Sequence, residues 1–441
     1  MAESPLPAAE TVPTSTNAGR PVRAATGALT TTIAVSVPVF LVGGLAVQIG
    51  NDLGFSPAGL GLAVSAYFGA SALASVPAGA LVERYGSTTV SRCGIALASA
   101  SLLAIAVGAR SLWSLVAILA LGAGANAAGQ LASNTSLARH VPARRQGLSF
   151  GVKQAAIPVS TLLAGAAVPV VALTLGWRWA FVLAAVLAAG AIPLVPKEVG
   201  EERRSRGERA EQATGALIVI GVAGTLAAGA ANALGTFLVD SAVARGISPA
   251  PAGLALTLGG AVCVLARIAG GWQADLRPGR QVGVIAGLLA LGAAGLVLLA
   301  VPGTVALVVG VVLGFGLGWS WPGLMNFAVV RLHPQAPAAA TSITQTGVYA
   351  GGCIGPLGLG AVAAAAGYPA MWLVAAVAML SAGALMLLGS RMLRSSGSLG
   401  RSGSPSSSGS PSSFGSLGRS GSPSSSGPSS SFGSLSSFDR R

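Results

Sequence analysis

The residues with the most chemical content in this chain stand inside apolar sequence. Lys153 and Gln154 lie in a long apolar run, a short way past the basic cluster Arg139, Arg144 and Arg145. A lysine at the centre of a bilayer costs roughly 2.5 to 3.5 kcal/mol on insertion scales. Its presence there implies a partner, a wet cavity or a nearby interface. Counted from Leu148, Lys153 sits about 7–8 Å into its run at 1.5 Å per residue. That is shallow enough for its stem to reach back to an interface. Two readings stand side by side: an interfacial anchor, or an ammonium in a low-dielectric cavity that attracts an anion.

Other polar residues fall on single helical faces. Asn126, Gln130 and Asn134 recur every fourth residue, as do Asn232, Thr236 and Asp240, and Thr341, Gln345 and Tyr349. Ser149, Lys153 and Ser160 fall within about 40° of one another at 100° per residue, flanked by Gln154 and Thr161. Polar side chains in membrane helices turn to the bundle interior or to water. These stripes are therefore expected to face a cavity, and Asn326, Tyr67 and Trp321 join them as candidates. The plainer reading is interhelical glue, worth about 0.6 kcal/mol per hydrogen bond. Arg267, near the end of its run, reads as a gate residue or interfacial anchor.

Titratable groups for coupling are scarce. No Asp or Glu occupies the middle of an apolar run, and Asp240, at the end of one, is the coupling candidate. Cys93, Cys263 and Cys353 all fall in apolar runs and read as small buried side chains. There is no nucleophile–base constellation and no metal-ligand spacing. No catalytic residue, metal or cofactor is expected, and the chain does not read as an enzyme.

The elements that must position these groups follow from composition. The 441 residues are 52% hydrophobic and only 9% charged, with 63 glycines. Soluble domains are nearer one quarter charged, and small residues are what membrane helices use to pack closely. The class is a polytopic all-α membrane protein. Twelve runs of adequate length are expected at 26–49, 57–82, 88–109, 112–136, 148–173, 178–196, 214–239, 250–273, 281–301, 304–329, 338–365 and 367–389. The net charge of +14 does not point to nucleic acid, because the bases lie in short loops and tails. With both termini cytoplasmic, only Arg110, Arg178 and Arg245 face outward, which satisfies the positive-inside bias. No cleavable signal peptide is expected at the N-terminus.

Residues 1–25 read as a disordered N-terminus, 26–196 as a first six-helix bundle and 214–390 as a second. Between them, 197–213 is a mixed-charge linker, and 391–441 is a disordered tail rich in Ser, Gly and Pro. The bundles repeat. At an offset of 192, Gly54 meets Gly246, Ser56-Pro57 meets Ser248-Pro249, Gly79 meets Gly271, Glu83 meets Asp275, and Asn134 meets Asn326. At 191, Gln154 meets Gln345 and Gly176 meets Gly367. Six spans per half make the repeat parallel, a transporter architecture with a site between halves. The register places Thr344-Gln345 opposite Lys153-Gln154, a neutral pair against a charged one.

Two loops carry related strings: Gly79-Ala-Leu-Val-Glu83-Arg84-Tyr-Gly86 and Gly271-Trp-Gln-Ala-Asp275-Leu-Arg277. They resemble the G-x-x-x-D-R-x-G-R signature of the major facilitator superfamily, and the resemblance covers about 26–390. It departs at Glu83, at Ser87-Thr88, and at an extra residue before Arg277. The resemblance implies that Gly79 and Gly271 let helix ends approach, and that Glu83, Arg84, Asp275 and Arg277 form gating pairs across the halves. The charge lock should be weaker in the first half. It also implies that the first, fourth, seventh and tenth helices line a central cavity, helped by the second, fifth, eighth and eleventh. The stretches 153–158 and 336–356 are more narrowly similar to the cyanate and nitroimidazole transporter-like branch, which implies a small polar or anionic organic solute.

The expected function is a secondary active or facilitative transporter that moves such a solute by alternating access. Its setting is a bacterial cytoplasmic membrane, its partners are the solute and the lipid bilayer, and protons are the candidate coupling ion. It is expected to be a monomer. Two alternatives stay open: an exporter of amphipathic drugs, and a transporter-like receptor without flux.

Overall fold

The computed structural model describes residues 19–142, 145–196, 215–277, 281–332 and 337–402. The expected linker at 197–213 and the tail beyond 402 lie outside them. The chain divides into two compact units, Met1–Ser396 and Gly397–Arg441, and the functional elements belong to the first.

The described residues are almost entirely helical. In order the helices are α1 (Gly19–Gly44), α2 (Ala46–Leu53), α3 (Pro57–Tyr85), α4 (Ser87–Gly108), α5 (Leu112–His140), α6 (Gln146–Ala167) and α7 (Trp177–Gly190). Then come α8 (Gly215–Val243), α9 (Pro249–Leu276), α10 (Gln281–Ala300), α11 (Thr304–Leu313), α12 (Pro322–Leu332) and α13 (Pro337–Ser402). Among the described residues, eleven stretches are long and apolar enough to cross a membrane. Large apolar side chains such as Leu73, Val76, Trp113 and Leu121 are exposed on helix surfaces, as lipid-facing residues are.

The sequence pattern misjudges some boundaries, for local reasons. The first run divides at Leu45 into α1 and α2. The tenth breaks into α11, a π-helical turn at Gly314–Gly318 and α12, which begins at Pro322. The last two runs meet at Gly367, whose φ of +80° and ψ of 170° are non-helical, so α13 is two helices joined at a kink where the sequence expects the break. α1 begins before residue 26 and α13 runs past 390, so helix extends beyond both boundaries expected for the termini.

The internal repeat is written into the backbone. Gly54 and Gly246 both have positive φ, at 68° and 87°, and so do Gly176 and Gly367, at 95° and 80°. A side chain would be strained at such angles. Ser56-Pro57 and Ser248-Pro249 each start a helix, with the serine extended before it and the proline in its first turn. Residues matched in sequence therefore do the same conformational work.

Glycine also sets how closely helices meet. A Cβ on Gly271 of α9 would lie 2.6 Å from the Gly147 carbonyl of α6, and one on Gly151 would lie 2.7 Å from the Arg267 carbonyl. At the other end of the same seam, a Cβ on Gly253 would lie 2.7 Å from the Gly165 carbonyl. Backbones can approach this closely only where no side chain intervenes. α6 and α9 are thus in contact along nearly their whole lengths.

Candidate functional site

Within the helices lies a cavity of about 60 Å³, with room for only a few waters. Its walls come from α1, α3, α5, α6, α8, α9, α12 and α13, with Trp319 and Trp321 from the break before α12. Nine of the cavity candidates singled out in the sequence line it: Tyr67, Asn126, Gln130, Gln154, Asn232, Trp321, Asn326, Gln345 and Tyr349. Periodicity worked here because a helix of polar stripe and apolar remainder has one face it can turn inward.

Lys153 stands one layer behind. It is 1% exposed, so its stem does not reach an interface. Its ammonium donates to Oε1 of Gln130, whose side chain forms part of the cavity wall. Asn126 donates to the Ser71 hydroxyl at 3.1 Å, and Asn232 to the Ala228 carbonyl at 2.8 Å. The Tyr67 hydroxyl donates to the Val35 carbonyl and ties α3 to α1. Asn134 does not line the cavity, and its Oδ1 is buried without a partner. The side chain of Thr341 lies outside the described residues. Asp240 is also away from the cavity, accepting a hydrogen bond from the Tyr368 hydroxyl.

Arg267 was read from the sequence as a gate residue or an interfacial anchor, and it is no anchor. It is not at an interface: it is 2% exposed and lines the cavity. Its Nε and Nη2 donate to the Trp319 carbonyl at 3.0 and 2.7 Å, and its Nη1 to the Gln154 carbonyl at 2.5 Å. Both acceptors exist for local reasons. Pro158 has no N–H to offer the carbonyl four residues earlier, which is Gln154. The break between the π turn and α12 leaves the Trp319 carbonyl without a helical donor. The guanidinium also lies over the Trp319 ring, 5.7 Å from its centroid, and Trp319 packs against Phe40 and Phe315. The signals were present in the sequence: a proline four residues past Gln154, and the glycine-rich stretch before Trp319.

Two buried cations, Lys153 and Arg267, thus serve one cavity. Among the described residues no carboxylate lines it, and the Arg178–Asp52 ion pair lies elsewhere in the protein. Their repeat partners at the 191 and 192 offsets are Thr344 and Ser75, both neutral. One wall of the cavity is cationic, and the other carries Tyr67, Gln345 and Tyr349.

The gating strings behave unequally. Asp275, at the end of α9, accepts from the backbone amides of Gly147 at 2.9 Å and Leu148 at 2.8 Å. A carboxylate there satisfies orphan donors in the first turn of α6 and complements its dipole. The expected partner was a guanidinium; the observed partner is a helix terminus. Arg277 is exposed. Glu83 and Arg84 are exposed too, with Arg84 over the neighbouring Tyr85 ring. Gly79 was expected at a close approach, yet a Cβ there would meet no described atom within 4 Å. The second copy makes a cross-helix contact that the first does not.

Within the first half, Arg178 and Trp177 at the start of α7 hold Asp52 at the end of α2, with N–O distances of 2.5 and 3.2 Å. The Arg178 guanidinium holds the Asp52 carboxyl below its ordinary range.

Apolar helices gathered around a small cavity with polar side chains in its wall, repeated in tandem, are the architecture of a membrane transport protein. The chain belongs to the major facilitator superfamily: the model of that family matches residues 26–220 and again 220–423. Among curated proteins the chain is 28% identical, over 74% of its length and 85% of the relative's, to a chloramphenicol resistance protein of Streptomyces lividans. Among solved structures it is similar in fold to the human organic anion transporter MFSD10 (TETRAN). There the TM-score is 0.61 at 16% identity, covering 83% of this chain and 99% of that one. It is a multi-pass membrane protein of a transporter family.

Proposed function

We propose that the protein carries a small anionic organic solute across the cytoplasmic membrane by alternating access. The observation that carries this reading is the cationic wall. Lys153 and Arg267 are buried beside one cavity that no described carboxylate lines. Buried charges are expensive unless compensated, and a solute carboxylate is the compensation the cavity lacks. A guanidinium has five N–H donors, and three hydrogen bonds from Arg267 go to carbonyls. The Cys263 thiol also touches the guanidinium, and none of these neutral partners cancels its charge. The neutral wall offers Gln345 and Tyr349 to the solute's other end. The likeness of 153–158 and 336–356 to the cyanate and nitroimidazole transporter-like branch agrees with a small solute.

In this reading α13 supplies two spans on either side of Gly367, giving twelve in all. The halves 26–196 and 214–390 act as two six-helix bundles with both termini cytoplasmic. The cavity here is closed. At one end the Asp275 cap and the Gly147–Gly271 contact hold α6 to α9, and at the other the Gly165–Gly253 contact does so. Rocking the halves would open one end at a time.

A second reading, export of an amphipathic compound, is favoured by the relative named for chloramphenicol resistance and by the aromatic lining of Phe40, Trp319 and Trp321. Counterflow into proteoliposomes separates the two. Labelled small carboxylates and cyanate should exchange against internal unlabelled solute, and exchange should fall with Lys153→Met. Exchange of chloramphenicol with no carboxylate exchange would overturn the anion reading. Binding without any counterflow would make the protein a receptor.

A further inference from the structure

We infer that Arg267 is both the residue that selects an anion and the latch that keeps the α6–α9 seam shut. The inference rests on the anion reading of the cavity and adds how occupancy would be sensed. The guanidinium spans three pieces of chain. It belongs to α9, it takes the Gln154 carbonyl of α6, and it takes the Trp319 carbonyl at the broken helix before α12. Both carbonyls are neutral acceptors whose helical donors have been removed, one by Pro158 and one by the break. They hold the side chain without neutralising it.

A carboxylate is a stronger acceptor than a carbonyl and suits the planar fork of a guanidinium. A solute entering the cavity would therefore compete for Arg267 with the acceptors that now hold it. The cavity of about 60 Å³ has room for only a few waters, so an acid the size of benzoate needs its walls to move. Withdrawing Arg267 from Gln154 removes a charge-assisted bond between α6 and α9 in the middle of their shared seam. That bond has no counterpart in the other half, where the repeat partners of Arg267 and Trp319 are Ser75 and Ala127. Solute recognition and seam opening are thus coupled on one side of the protein only.

Spin labels on the full-length protein in liposomes test this. Arg145→Cys and Gln273→Cys place labels at exposed positions on α6's entry and α9's end, in a Cys93→Ala background. Pulsed electron paramagnetic resonance then reads the distance between them. Two variants weaken the latch differently. Arg267→Gln removes the guanidinium. Pro158→Ala returns an N–H to the Gln154 carbonyl and leaves every charge in place. Each should raise the separated population on the order of tenfold without solute, the effect of losing one charge-assisted bond. In otherwise unmutated protein, acetate, lactate, benzoate or cyanate should produce the same separation, and chloride should not. If a carboxylate stabilises the protein against heat but neither variant nor ligand changes the distances, the latch is wrong and the anion reading stands. If no probe stabilises the protein, the anion reading fails and the latch falls with it.

Discussion

Arg267 of α9 donates to the Gln154 carbonyl of α6, and Pro158 is the reason that carbonyl is free. A proline within a membrane helix is tolerated when a neighbour satisfies the acceptor it leaves behind. Here the neighbour is a buried cation at the cavity wall, so a local backbone defect becomes a tie between the two halves of the sequence repeat. The consequences extend to packing, binding and coupling.

The two gating glycines should respond oppositely to a methyl group. Gly271→Ala would put a Cβ 2.6 Å from a backbone carbonyl, and overpacking of this kind costs about 1–3 kcal/mol. Gly79→Ala meets no described atom and should be neutral, or stabilising by up to about 1 kcal/mol from helix propensity. Thermal unfolding in detergent reads both. Equal losses would show that α3 is packed at Gly79 after all.

Lys153→Met keeps the side chain's bulk and removes its charge. Carboxylate affinity should fall about tenfold through loss of a nearby positive charge behind Gln130, while the protein stays folded. Asn134→Ala should leave affinity unchanged, because Asn134 does not line the cavity. Isothermal titration with both variants decides; an equal loss in Asn134→Ala would remove the distinction drawn between them.

The Asp52–Arg178 pair should be visible as an acid-dependent stability term. The folded carboxyl is held below its ordinary value near 3.8 by Arg178. A depressed carboxylate stabilises the fold above its unfolded value, and the contribution disappears as pH falls through the folded one. Both side chains are well exposed, at 41% and 45%, so the pair contributes no more than about 1 kcal/mol. Arg178→Gln should therefore lower the melting point slightly at pH 7 and less so below pH ~4. A gap that widens on acidification would contradict the assignment. High salt should shrink the effect at neutral pH.

Asp240 tests coupling apart from binding. It bonds Tyr368 and stands away from the cavity. Asp240→Asn should leave solute counterflow intact, since exchange needs no net proton movement, and should abolish accumulation driven by a pH gradient. Loss of counterflow as well would place Asp240 in the binding machinery.

Much of the site was legible before the fold. The stripes of Asn126 and Gln130, of Asn232, and of Gln345 and Tyr349 reach one cavity because helical spacing fixes which residues share a face. The same spacing misled at Asn134, since a face of a long helix passes the cavity and continues beyond it. The anchor reading of Arg267 arose because its position near the end of a run suggested an interface. The length of a run does not tell what packs around it.

The sequence by itself determined the class, the spacing of most helices and the tandem repeat, because apolar length, turn residues and recurring Gly, Ser-Pro and Asn are local properties. Tertiary structure decided the rest. It set Lys153 behind Gln130 instead of at an interface, gave Asp275 a helix terminus as its partner, and brought Arg267 to two freed carbonyls. Each of those outcomes depends on which backbone lies opposite, and that is fixed only when α6 and α9 close on one another along their glycines.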